Sequence, residues 1–260
     1  MGEQGEYRLQ DGFTLIELSI VLVIIGLIVG GVLTGRSLIR AAELRSIITD
    51  EQRYVTAVNT FRTKYNEIPG DMADATNFWG TDPGGCPMGY TGSYITTTCN
   101  GNGNGLIENS GASVSYTPVL YENYLAWQQL AFARLIPGAY TGTQGPLDYN
   151  QNIPGVNVPP TKIPNGGFEW ASYIPSTAAS YVSPYTQYLL VGGVTNGDLW
   201  DLLTPSDGQA IDQKMDDGLP ITGSVLEADQ GNCLQSYPSW TYNLQSNSPD
   251  CVLLFQVHGW

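Results

Sequence analysis

The sequence predicts an α+β fold: a long N-terminal helix, membrane-spanning in its first half, on a loop-rich head with an antiparallel β-sheet and disulfides. Three observations predict it. Between residues 13 and 33 the only polar side chains are Thr14, Glu17 and Ser19. As a helix this stretch spans about 30 Å, the thickness of a bilayer's hydrocarbon core. Apolar residues then continue at helical spacing as far as Phe61. All four cysteines, Cys86, Cys99, Cys233 and Cys251, lie beyond the apolar stretch, as suits an exported domain held by two disulfides. The chain therefore divides into a leader (residues 1–12), a transmembrane helix with its exported continuation (13–65) and an acidic globular head (66–260).

The leader is short and polar, with Arg8 set against Glu3, Glu6 and Asp11. Beyond the apolar stretch, Leu38, Ile39, Leu44, Ile47, Ile48, Tyr54, Val55, Val58 and Phe61 carry the helix onward. No proline precedes Pro69, and Pro69-Gly70 is a strong breaker. A helix over residues 13–65 would be about 80 Å long. Its first half must pack against lipid or against other copies of itself. Gly26 and Gly30, then Gly31 and Gly35, stand four apart, a spacing that lets membrane helices approach closely. Arg36, Arg40 and Arg45 are expected to be solvated or to pair between subunits with Glu43, Asp50 or Glu51.

The head opens on loop-rich chain over residues 66–116. Residues 122–136 read as an amphipathic helix stopped by Pro137-Gly138, and 146–164 as proline-rich connection. Residues 185–191 and 251–257 are the best strands, ended by Gly192-Gly193 and Gly259. Thr204-Pro205 caps a short helix running to Met215 and stopped by Asp217-Gly218.

Charge is unevenly placed. Through Tyr65 there are seven Lys/Arg and seven Asp/Glu; from Asn66 onward there are three against seventeen, which accounts for the net −14. So acidic a head repels polyanions, which argues against nucleic-acid binding by the head. Each cysteine pair close in sequence brackets a Gly- or Ser-rich stretch that a cross-link would order. The expected pairing is therefore Cys86 with Cys99 and Cys233 with Cys251. No Cys-x-x-Cys motif supports zinc or redox chemistry.

Glu17 is the anomaly of the apolar stretch. An ionisable group in a membrane segment costs about 2–3 kcal/mol at mid-depth, less near an end, and is usually there for a partner. The residues around it, Gly12-Phe13-Thr14-Leu15-Ile16-Glu17 before a long apolar helix, resemble the cleavage and methylation signature of type IV prepilins and of the pseudopilins of type II secretion. The resemblance implies a pilin-like fold, cleavage by prepilin peptidase between Gly12 and Phe13, N-methylation of Phe13, and polymerisation through the N-terminal helix. It also implies that Glu17 neutralises the new amino group of Phe13 on a neighbouring subunit. A buried carboxylate needs a cation, and cleavage creates one four residues upstream. Residues 67–72 also resemble a segment that follows the first helix in some pilin-like proteins. Asp11 departs from the basic residue usual just before the cut.

Calcium is the one cofactor with candidate ligands. Asn100, Asn102 and Asn104 alternate with glycines and precede Glu108, which mimics a calcium loop. The Asn side chains attract a cation less than Asp would, Glu108 comes too early for an EF-hand, and a tight Asn/Gly turn beside a disulfide is the favoured reading. Asp212, Asp216 and Asp217 form a second cluster, suggested by analogy with secretion pseudopilins; solvated surface carboxylates are again favoured. Enzyme readings fare poorly. The sole histidine is His258, and there is neither a phosphate-binding glycine loop nor a Gly-x-Ser-x-Gly elbow.

The first reading is a pilin or minor pilin: a structural subunit whose partners are copies of itself or related pilins, prepilin peptidase and an assembly machine. Its head would be exported from the inner membrane into an extracellular or periplasmic filament. The alternatives are a pseudopilin of a type II secretion system and, from another class, a membrane-anchored exported binding module.

Overall fold

The structure, a computed structural model, describes residues 13–81, 86, 97–108, 122–145, 151–172, 186–195, 198–228, 231–235 and 239–257. The leader, Gly12 and His258 lie outside the described residues. By its internal contacts the chain falls into two units, residues 1–42 and 43–260.

Helix α1 runs Leu15–Tyr65 without interruption. Among the described residues it is the one helix long and apolar enough to cross a membrane, and no residue of its apolar window is buried. From Phe13 to Ile39 its large apolar side chains are exposed. In the second unit the same helix buries Ile47, Glu51, Tyr54, Ala57, Val58 and Phe61. Along one helix, exposure of the large apolar side chains gives way to a one-sided buried stripe.

The head then adds α2 (Thr76–Trp79), α3 (Glu122–Phe132), β1 (Gly166–Ala171), β2 (Gln187–Thr195), β3 (Asp198–Trp200), α4 (Pro205–Met215), β4 (Val225–Glu227) and β5 (Leu253–Val257). The strands form one antiparallel sheet in the order β1-β2-β5-β4, with β3 also paired to β2. Phe168, Trp170, Leu189, Val191, Leu253 and Phe255 join α1, α3 and Ile211 of α4 in the main core. Tyr54 of α1 meets Trp127 of α3 edge-on at 4.9 Å between centroids and Phe168 of β1 at 5.1 Å, while Trp127 stacks on Trp170 at 5.3 Å. Aromatic pairs in these geometries add to the area they bury and fix how helix and sheet meet. A smaller cluster of Tyr188, Leu226 and Leu254 is formed by alternate strand positions.

Three boundaries depart from expectation. The helix expected over 122–136 ends at Phe132, because Arg134 adopts φ 60° and the Leu135 N–H turns back to the Leu130 carbonyl. That is the left-handed exit of a helix, reached before Pro137 can act. The first predicted strand runs on through Gly192-Gly193 to Thr195. These glycines pair with Gly167 and Gly166 of β1, and a Cβ on Gly193 would sit 2.7 Å from the Asp201 carbonyl oxygen. They permit close backbone approach inside the sheet and do not end it. The last strand begins at Leu253, while Cys251 bridges Leu203.

The disulfides join Cys86 to Cys99 and Cys233 to Cys251, with Cα separations of 5.6 and 5.1 Å. Cys99 packs on Leu125 of α3, and Cys251 lies at the start of the chain that becomes β5.

Candidate functional site

Three places hold the residues singled out in the sequence. The first is the start of α1. Thr14 and Glu17 form a reciprocal cap: the Glu17 N–H donates to Thr14 Oγ1 at 3.3 Å, and the Thr14 N–H donates to Glu17 Oε2 at 2.8 Å. The Thr14 hydroxyl also donates to Oε2, at 2.9 Å. Thr-x-x-Glu is the capping-box pattern, which satisfies backbone donors that a helix start leaves unpaired. A carboxylate here also opposes the positive end of the helix dipole. Glu17 therefore has a use within its own chain, and it is presented at the exposed N-terminal end of the apolar helix, beside exposed Phe13. Gly12, the other member of the expected cleavage pair, is outside the described residues.

The second place is the Asn/Gly loop. Its side-chain oxygens are used locally: Asn102 Oδ1 accepts the Asn104 N–H, Asn104 Oδ1 the Leu106 N–H, and Asn100 Oδ1 the Thr76 N–H. Its backbone donors point at the carboxyl groups of two acids, Asp71 and Glu122, to which the sequence reading gave no role. Asp71 takes the N–H groups of Asn104 and Gly105 at 2.9 and 2.8 Å, and Glu122 those of Asn102 and Glu108 at 2.9 and 3.1 Å. Both acids are buried. Gly101 is pressed so close to Gly70 and Asp71 that a Cβ there would collide with their backbone. The loop thus turns its donors toward carboxyl oxygens, the reverse of a cation cage. Burial, reinforced by the charges of Asp71 and Glu108, pushes Glu122 up to about 8 against the pull of its two N–H donors. Burial also raises Asp71. The loop is a clasp that holds chain following α1 against the N-terminus of α3.

The third place is the end of α4. Asp212, Asp216 and Asp217 bring their carboxylate oxygens within 4.8 Å of one another. Asp212 Oδ1 accepts the Gly218 N–H and Oδ2 the Tyr242 hydroxyl. Asp216 Oδ2 accepts from Ser224 and Val225 N–H, and Asp217 from Leu219 N–H and the Thr222 hydroxyl. A side chain at Gly223, where φ is +79°, would run into Asp216. A calcium ion asks for six to eight oxygens. Here five of the six carboxylate oxygens already accept hydrogen bonds. The turn solvates its own charges, and no step of the function argued below passes through a metal here. Burial raises Asp212 to about 6, while hydrogen bonds from Thr222 and Leu219 lower exposed Asp217.

Of the acids expected to serve the basic residues of α1, Asp50 pairs with Arg53 at 2.9 Å. Glu51 is buried on the core-facing stripe, and burial raises it to about 7.

An exposed apolar helix opening on a capped glutamate, continued into a disulfide-bonded α+β head, is a pilin-like layout. Residues 7–33 match the family model for the prokaryotic N-terminal methylation motif, the signature of type IV prepilins and pseudopilins. The chain matches no curated protein and no solved structure. The motif covers residues 7–12 and the whole apolar stretch from Phe13 to Leu33; the head is read from its own structure.

Proposed function

We propose that this chain is a pilin or minor pilin, a structural subunit of a type IV pilus-like filament. The supporting observation is the match to the methylation motif over residues 7–33, together with an apolar helix whose large side chains are exposed from Phe13 to Ile39. Prepilin peptidase cuts between Gly12 and Phe13, and Phe13 is N-methylated. The precursor rests in the inner membrane with its head exported; the mature chains then leave the bilayer as a filament.

Polymerisation moves the apolar face from lipid to other subunits. That transfer gains little from hydrophobicity alone, since lipid and protein are similarly apolar; packing and polar contacts must drive it. Glu17 supplies a polar contact. Its carboxylate exchanges the weak cap on Thr14 for the new ammonium of a neighbouring Phe13, a charge-assisted bond in a dry environment. The head contributes shape and surface, and no reaction is assigned to it.

The test is Glu17→Leu in cells that carry the assembly machinery and lack the wild-type copy. An anchor inserts better without an expensive carboxylate. A filament subunit still inserts and is still cleaved, yet sheared-filament yield drops by roughly tenfold or more, because each contact buries an unpaired amino group. Normal filaments from Glu17→Leu would refute the pairing. The secretion pseudopilin is the second reading, and extracellular enzyme release in a deletion strain separates the two.

A further inference from the structure

Beyond Ile39, the exposed large apolar side chains among the described residues are Phe78, Leu219 and Leu244, at 53, 45 and 49% exposure. Two of them have charged neighbours of opposite sign. Phe78 lies edge-on to Tyr65 at 5.2 Å, and Lys64 Nζ stands 4.9 Å above the other partner of that pair, the Tyr65 ring. Trp79 extends the ring cluster, 5.7 Å from Phe78 and 5.4 Å from Tyr65. The result is a cationic aromatic knob at the end of α1. Leu219 follows Asp217, whose Oδ1 accepts the Leu219 N–H at 2.8 Å, so leucine and carboxylate are held side by side and both exposed. That is an anionic apolar spot at the end of α4.

We propose that the Lys64–Phe78 knob of one copy docks on the Asp217–Leu219 turn of the next copy. The occupant is a second copy because this chain carries both halves of the complementarity. Lys64 is a cation on a molecule whose residues 66–260 hold three Lys/Arg against seventeen Asp/Glu. Opposite charges at the rim fix register, and a ring set against a leucine forms the desolvated centre. The two surfaces are different patches of one chain, so the contact is heterologous, the kind that propagates into an open helix. It rests on the filament reading and names the head-to-head contact that would accompany polymerisation through α1.

The experiment places a benzophenone amino acid at position 78 of the full chain, expressed with its assembly machinery, and irradiates sheared filaments. The expected adduct joins two copies, and peptide mapping puts the second attachment at residues 215–222. Lys64→Glu and Asp217→Lys each reduce adduct yield by roughly tenfold, and the two reversals in one chain restore it. Filaments that give no adduct, an adduct elsewhere on the second copy, an adduct with another protein, or a double reversal that fails to restore would overturn the contact and leave the filament reading standing. A wild type that makes no filaments would overturn both.

Discussion

At the scale of single residues, the carboxylates fall into two groups that sequence treats alike. Glu17 stands out on the page, because a charge among apolar residues is visible to any reader. The structure adds its cap on Thr14, a Thr-x-x-Glu pattern before an apolar run. Asp71 and Glu122 were not legible. They are fifty-one positions apart (122 minus 71), and each looks like a solvated surface acid until the fold closes the loop over both. The Asn/Gly run suggested a cation because its side-chain oxygens alternate; sequence says nothing of where the backbone N–H groups point. Glu122 carries a prediction. Its folded value of about 8 lies above its ordinary one, so between the two the native state holds more protons than the unfolded chain. Stability contributed by this group is therefore present at acid pH and is lost as pH rises toward about 8. Glu51 and Asp212, raised to about 7 and about 6, act in the same direction. Chemical unfolding of the full chain in detergent should show a head less stable at about pH 8 than at about pH 5 by a few kcal/mol. Glu122→Gln should flatten much of that slope. A profile that rises with pH would contradict the assignment.

At the scale of elements, legibility follows how local the cause is. Helix α1 was readable because its apolar run, its helix formers and its proline-glycine stop are all contiguous. Helix α4 was readable because Thr204 and Pro205 mark its start, and the structure adds the reciprocal bond from Thr204 to Asp207. Strand β1 was hidden. Its sequence Gly-Gly-Phe-Glu-Trp-Ala is buried at all six positions, so it shows no alternation, and its glycines are explained only by the glycines of β2 across from them. Strands β3 and β4 are three residues each, too short to signal. The disulfides bear on elements too. Cys233–Cys251 closes a sequence separation of 18 and fixes the entry to β5, which pairs with both β2 and β4. Replacing both cysteines with alanine should cost about 3 kcal/mol by the chain-entropy relation, read as a lower denaturant midpoint under oxidising conditions. An unchanged midpoint would show that the packing of β5 holds that corner without the link.

At the scale of the whole molecule, two solvents explain the chain. From Phe13 to Leu33 the only polar side chains are Thr14, Glu17 and Ser19, and the large apolar ones are exposed. Residues 43–260 form a compact unit with a core, two cross-links and a strongly acidic composition. A permanent anchor and a polymerising helix satisfy those facts equally well in isolation; the match to the methylation motif over residues 7–33 supports the second. The central claim is therefore chemical and concerns one bond. Intact mass and N-terminal sequencing of protein from sheared filaments and from membranes should show a mature chain that begins at N-methylated Phe13, with the leader gone. A chain that retains Met1 in both fractions, or that begins after Gly35 with the apolar stretch removed, would contradict it.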